Sequence, residues 1–598
     1  MNYKLILILF FLTLTSYSMA EVKEYNLEID YKTVNYTGKD VRAISINNSI
    51  PGPTLRFKVG DIARIHVKNK MDVETSVHWH GVLLPNRQDG VPYLTTPPIK
   101  PNTIYTYEFR IKHPGTYWYH SHTGLQEQKG VYGSLVFEPV KTRNDIKKVD
   151  EEKVVVLSDW TDENPSEVLR TLKRGSEYYN FKKGTIQTAW GVIKNRALAE
   201  NIKRSLIRMP PMDIADIAYD AFLINGELKS FLKNVSGKTI KLRIINAAAS
   251  SYFYINYAGG DMKIIAADGV DVEPIDIDKF LIGIGETYDV IINVPIEQSY
   301  ELRATAHDSS GYASLFLGEG EEISANKIPM INLYKMEHEN HDTMEKDNNE
   351  NIHNMLETND EIMSKDDMNM ENSHSQHENH MSDNKMKHDK HLNMFISERP
   401  STPYEKLKSV KSTSLSDKFE TREYVFNLTG DMERFVWSID GKTLDEADKI
   451  LIRKDENVRF VLVNRTMMHH PMHLHGHFFR VVNKYGEYSP LKHTVDVAPH
   501  ESVVIEFEAS EDKDWLFHCH MLYHMMSGMG RVISYEDSDI DSDIKKLRKD
   551  FRHDPVFTWL DIDILSQMTE GELVFSNTRN ILSSEWEVGW EDTEYEID

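Results

Sequence analysis

The sequence predicts an all-β chain built from several Greek-key β-sandwich or barrel domains. Alternating runs such as Thr54-Leu55-Arg56-Phe57-Lys58-Val59 and Ala63-Arg64-Ile65-His66-Val67 lie between Pro, Gly and Asn turns. That is the period of a strand with one buried face. The runs recur with turn signals about every ten residues, the rhythm of sandwiches and barrels. At 598 residues the chain exceeds one ordinary core, and length alone suggests three or four domains.

Composition narrows the chemistry. A net charge of −25 makes nucleic acid and anionic membrane surfaces poor partners and a diffusible cation a better one. The single cysteine, Cys519, excludes an internal disulfide framework and any Cys-rich zinc or iron–sulfur site. Against it stand 26 His and 25 Met, a ratio that points to metal chemistry with imidazole and thioether ligands.

The elements follow in order. Residues 1–20 read as a signal peptide, with Lys4, an apolar run from Leu5 to Leu14, and the small-residue ending Ser18-Met19-Ala20. The run is too short to span a bilayer, and no later window is long and apolar enough, so no membrane span is expected after cleavage. No twin arginine precedes it, which favours the general secretory route into the periplasm. The first β block covers 21–140. A second covers 150–335, with strands such as Lys241–Ile245 and Asp289–Ile292 around a charged helical insert at about 164–218 that contains the breaker Pro210-Pro211. Residues 336–410 form an acidic Met/His-rich linker. Its stretch from Met336 to Met394 lacks the aromatic and β-branched residues needed to bury a core, and is expected to be disordered. A third β block covers 411–535, and 536–598 is an acidic tail with no readable motif.

Four His-X-His elements carry the chemistry: His78-Trp79-His80, His120-Ser121-His122, His473-Leu474-His475 and His518-Cys519-His520. In a strand, residues i and i+2 share a face, so each element aims two imidazoles at one place. Two elements lie in the first block and two in the third, so folding can bring eight imidazoles together. Between His518 and His520, Cys519 faces the other way and belongs to a second site. His470 has the parity to join it, and His524 and Met529 complete a Cys-X4-His-X4-Met spacing. Two imidazoles, a thiolate and a weak axial thioether describe an electron-transfer copper site.

These motifs, in this order, resemble the three-domain multicopper oxidases, and most nearly the bacterial periplasmic copper-resistance protein A type. Tyr117-Trp118-Tyr119-His120-Ser121-His122, Gly124-Leu125-Gln126-Glu127-Gln128, Thr466-Met467-Met468, His470-Pro471 and Asp159-Trp160-Thr161-Asp162-Glu163 share in the likeness. The resemblance implies three cupredoxin-like Greek-key β-barrel domains and four coppers. His470, Cys519, His524 and Met529 would hold type 1 copper, and His78 and His473 type 2. His80, His120 and His520 would hold one type 3 copper, and His122, His475 and His518 the other. Asp89 stands where the family keeps a carboxylate that helps protonate reduced oxygen. The residues between His524 and Met529 hold no carboxylate, and Glu127 is a candidate replacement.

The implied reaction couples one-electron oxidation of a substrate at the type 1 site to reduction of dioxygen to water. Thioethers select Cu(I), and Met467 and Met468 beside His470, with the Met/His linker, favour Cu(I) over a phenol as reductant. A laccase-like phenol oxidase and a non-enzymatic copper store are the rivals. The expected partners are Cu(I)/Cu(II) ions, dioxygen and other periplasmic or outer-membrane copper-handling proteins.

Overall fold

The structure, a computed structural model, describes residues 21–140, 149–175, 177–186, 188–198, 202, 215–329, 399–551, 554–590 and 595–597. The expected signal peptide and the segment Met336–Met394 lie outside the described residues.

In the first block, strands Val41–Ile46, Val22–Val34, Ile62–Asn69 and Ile104–Arg110 form one sheet, and Gly52–Lys58, Tyr132–Glu138, Gly115–His120 and His78–His80 the other. Burial alternates along Ile62–Asn69, so Ala63, Ile65 and Val67 meet Leu55, Phe57 and Leu135 in one core between the sheets. The same plan repeats twice, with two six-stranded sheets in the second block and sheets of six and five in the third. In each block one mostly antiparallel sheet contains a parallel pair: Val22–Val34 with Ile62–Asn69, Glu151–Trp160 with Thr239–Asn246, and Thr421–Asp431 with Asn457–Asn464. Such a pair requires a crossover rather than a hairpin, as in Greek-key arrangements. In the third block Phe460 and Phe517, from opposite sheets, pack edge to face at 5.4 Å.

The insert begins with the helix Pro165–Lys173. Asn164 caps it by accepting a hydrogen bond from the Ser166 N–H, Pro165 opens the first turn, and Arg170 and Lys173 lie in the last. The three blocks fall in one compact unit. A second unit comprises 180–213 and 328–400, and its described part includes the helix Ala189–Lys194, capped by Thr188.

The acidic C-terminus is a folded element. Phe557–Ile564, Met568–Ser576, Ile581–Gly589 and Tyr595–Ile597 form an antiparallel meander. Its first strand, Phe-Thr-Trp-Leu-Asp-Ile-Asp-Ile, alternates with the period of a strand despite its acids. Arg579 Nη2 donates to Glu446 at 2.6 Å and to the Gly441 carbonyl at 2.8 Å, tying the meander to the third block.

Candidate metal centre

Two short antiparallel ladders build the larger site. His78 pairs with His120 in the first block, and His473 with His518 in the third. The eight imidazoles of the four His-X-His elements converge: the His80 and His473 rings stack at 3.8 Å, His78 lies 4.0 Å from His475, and His520 lies 4.7 Å from His80. Ligand atoms fall within 4.8 Å of one another in the groups His78–His80–His120, His78–His473–His475 and His122–His475–His518.

The second strand face carries the smaller site. Met472 pairs with Cys519, so His470, two residues away, shares their face. Cys519 Sγ lies 3.7 Å from His470 Nδ1 and 3.8 Å from His524 Nδ1. Met529 is fully buried beside them, its carbonyl accepting from the Cys519 N–H and its N–H donating to the His524 carbonyl. Trp437 stacks on His524 at 3.8 Å.

Hydrogen bonds at the far ring nitrogens decide what the near ones can do. His475 Nδ1–H donates to Asp89, 3.2 Å away, and His518 Nδ1–H donates to the Cys519 carbonyl. Their Nε2 atoms then face each other at 3.1 Å, two lone pairs with no proton left to share. His524 Nε2–H donates to Asp216 and His470 Nε2–H to Thr466 Oγ1, so their Nδ1 atoms face each other at 3.3 Å in the same way. Facing lone pairs repel unless a cation lies between them, and outer hydrogen bonds that orient ring nitrogens are what metal-binding histidines have. The Nε2 atoms of His78, His120, His122 and His473 are likewise buried with no partner among the described residues.

Electrostatics agree. Burial, then repulsion between neighbouring imidazoles, pushes His80, His122, His470, His473, His475 and His520 well below the usual histidine range. They are neutral, the form that binds metal. Burial pushes the Cys519 thiol far up, so a cation is needed to hold it as thiolate.

Family models described as multicopper oxidase match residues 28–142, 151–321 and 420–539. The chain belongs to the multicopper oxidase family. It is 36% identical over 567 residues to Copper resistance protein A of Escherichia coli, covering 86% of this chain and 93% of that one. Against Copper resistance protein A of Pseudomonas syringae pv. tomato it is 34% identical, covering 87% and 94%. A laccase structure from Botrytis aclada superposes with a TM-score of 0.61 at 20% identity, covering 89% and 91%, which speaks for the cupredoxin-type fold alone. The chain is thus an oxidoreductase, a three-domain copper-resistance multicopper oxidase of the copper-resistance protein A type.

The family's cofactor is four copper ions, of types 1, 2 and 3, and the donor sets of this multicopper oxidase fit it: imidazoles for the cluster, and a thiolate with two imidazoles and a buried thioether nearby for the single site. Both carboxylates singled out in the sequence are buried. Asp89 touches His475 and also His78 Nδ1 at 3.3 Å, and Glu127 Oε2 lies 2.7 Å from His120 Nδ1. Met467 and Met468 are buried too. Sequence reasoning missed Asp216, Trp437 and His493. His493 belongs to a further group with His80 and His473, and its ring leaves room for no side chain at Gly81. Its third-block position next to Lys492-Thr494 gave no His-X-His signal.

Proposed function

We propose that this multicopper oxidase oxidises Cu(I) to Cu(II) and passes the electrons to dioxygen for copper tolerance in the periplasm. Four cuprous ions and four protons reduce one dioxygen to two waters. The observation that carries this choice of substrate is the Asp216 carboxylate, 2.9 Å from Nε2 of His524 and buried. An anionic group at the edge of the type 1 site attracts a cation and gives a neutral phenol nothing comparable. The names of the relatives and the composition of the linker point the same way.

In this reading His470, Cys519, His524 and Met529 hold type 1 copper, His78 and His473 type 2, and the other six imidazoles the type 3 pair. Copper bound there supplies one-electron uptake and four-electron reduction of dioxygen. The protein supplies the rest. Cys519 sits between His518 and His520, so the route from the single site to the cluster is two peptide units of one strand. Asp89 and the main-chain carbonyls fix the ring orientations, and burial keeps water off the imidazoles. A cavity lined by His120, His122, Glu127, His518, His520, Leu522 and Met525 gives dioxygen and protons access to the cluster side. The Met336–Met394 segment would gather Cu(I) at low copper, and residues 1–20 would direct export.

An oxygen electrode tests the reading. Copper-loaded protein should take up one dioxygen for every four Cu(I) added, and faster than with a bulky phenol. Uptake with the phenol alone would make it laccase-like, and Cu(I) binding without uptake would make it a store.

A further inference from the structure

Beside the single site lies a pair of histidines that the type 1 and cluster assignments do not use. His307 sits in the turn after the strand Ser299–Ala306, where its N–H donates to the Tyr252 carbonyl. His469 immediately precedes His470. The two rings lie 4.9 Å apart and perpendicular, boxed by Tyr252, 5.9 Å from His307 and 5.2 Å from His469, and by Tyr254, 5.4 Å from His307. His307, Asp308 and Tyr252 also line a cavity of about 270 Å³ whose wall includes Ala215, the neighbour of Asp216.

His469 is oriented as metal-binding imidazoles are. Its Nδ1–H donates to Asp496 Oδ2 at 2.7 Å, and the other oxygen of that carboxylate accepts from the Tyr252 hydroxyl at 2.8 Å. The carboxylate fixes the tautomer and leaves the Nε2 lone pair of His469 for a cation.

We propose that His307 and His469 form a landing site for the cuprous ion, at the rim of the cavity beside the type 1 ligands. Two imidazoles among aromatic rings offer few donors. Zinc takes four ligands and Cu(II) a tetragonal set, whereas Cu(I) is content with two nitrogens in line. The site therefore selects oxidation state through coordination number. It differs from the buried Met467 and Met468 in being built of nitrogen donors, and it places the ion one peptide bond from His470. There Cu(I) would give up one electron to the type 1 site and leave as Cu(II), which the two-nitrogen box holds poorly.

The inference rests on the cuprous-oxidase reading for its substrate, so the test separates the two. Crystals of the copper-loaded enzyme are soaked in Ag(I), a redox-inert stand-in for Cu(I), and anomalous scattering locates the silver. The proposal expects a peak bonded to His307 and His469, lost in His307→Ala and in His307→Gln, the second variant guarding against collapse of the turn. Silver found only elsewhere overturns it. In solution, His307→Gln should raise the KM for Cu(I) about tenfold more than it changes kcat, with the thiolate-to-copper absorption band unmoved. An equal loss of turnover with Cu(I) and with a bulky organic reductant would mean that His307 only shapes the turn, and also overturns the proposal. If the wild-type enzyme takes up no oxygen with Cu(I), the cuprous-oxidase reading fails, while the silver peak still decides the site.

Discussion

Glu127 Oε2 lies 2.7 Å from Nδ1 of His120, and both side chains are almost fully buried. Burial, with the charge of Asp159 adding to it, pushes Glu127 well above the usual carboxylate range. When His120 binds a metal through Nε2, its Nδ1 must carry hydrogen and donate to Glu127. The contact is thus a place where a proton changes owner, at the wall of the cavity that reaches the cluster. Glu127→Gln keeps the hydrogen bond and loses the exchange. Reoxidation of the reduced enzyme by air should slow about tenfold, followed by stopped-flow recovery of the visible band. Unchanged recovery would assign Glu127 to holding His120 alone.

Cys519→Ser should bleach the blue colour and stop turnover. The hydroxyl matches the thiol in size and leaves the ladder Asp514–Cys519 in place, so the circular dichroism spectrum and the fold should stay. Serine cannot supply the soft thiolate from which the intense charge-transfer band arises. A variant that stayed blue would remove Cys519 from the type 1 site.

Asp216→Asn tests the cation edge. The carboxylate accepts from His524 Nε2–H at 2.9 Å and its side chain is 5% exposed. Removing its charge should raise the KM for Cu(I) about tenfold, the worth of one hydrogen bond to a charged group. It should also raise the reduction potential of the single site, because the lost anion favoured the more positive metal ion. A redox titration followed at the thiolate band reads the second effect independently of substrate.

Strand parity made much of this legible. The alternation of His518, Cys519 and His520 separates two sites by faces of one strand, and the structure pairs His473 with His518 and Met472 with Cys519 in that register. Contacts set by distant loops were not legible. Asp216 meets His524 across 308 positions, within charged text that gives no period. Glu127 reads as an ordinary loop acid, yet Gln126, hydrogen-bonded to Thr75 and to the Glu74 carbonyl, pins the loop so that Glu127 turns inward. The C-terminal meander escaped because its acids alternate with its apolar residues, and composition averages out what periodicity preserves.

An ionic node beneath the cluster gives a pH prediction. Arg243 Nη1 donates to Thr116 Oγ1 at 2.7 Å and to Asp289 at 3.0 Å, and its Nη2 to Glu152 at 2.7 Å. Burial alone would raise Glu152, but the Arg243 hydrogen bond and charge overcome it and hold the carboxyl at about 2. A carboxylate lowered in the folded state adds stability above its unfolded pKa, near 4.5, and loses it as pH falls through the folded value. Arg243→Met should therefore flatten the fall of Tm between roughly pH 4.5 and 2, and Lys241, 2.9 Å from Asp289, still pairs the carboxylate left behind. An unchanged slope would show that Glu152 does not set the acid limit.

The last prediction concerns Asp89, which reaches two blocks at once. Its carboxylate lies 3.2 Å from Nδ1 of His475, 386 positions away, and its own carbonyl accepts from His78 Nδ1–H at 2.7 Å. Gly90 makes the approach possible: at φ +88° it lies so close to the Val77 carbonyl that a Cβ would fall 1.8 Å from that oxygen, and its N–H donates to Thr96 Oγ1. Thr95 Oγ1–H donates to Asp89 Oδ2 at 3.3 Å, so the carboxylate is held by donors on one side and imidazole on the other. Reduction of dioxygen consumes four protons inside this buried cluster, and a carboxylate within reach of two ring nitrogens is the group placed to deliver them. Asp89→Asn preserves shape and the hydrogen-bond acceptor but cannot carry a proton. The variant should hold copper and its blue colour, yet reoxidise on the order of 100-fold more slowly, so that reduced enzyme accumulates under air. Asp89→Glu should recover part of the rate, because the proton carrier returns although the geometry is strained. If Asp89→Asn reoxidises at the wild-type rate, the protons reach the cluster by way of Glu127 or bulk water instead.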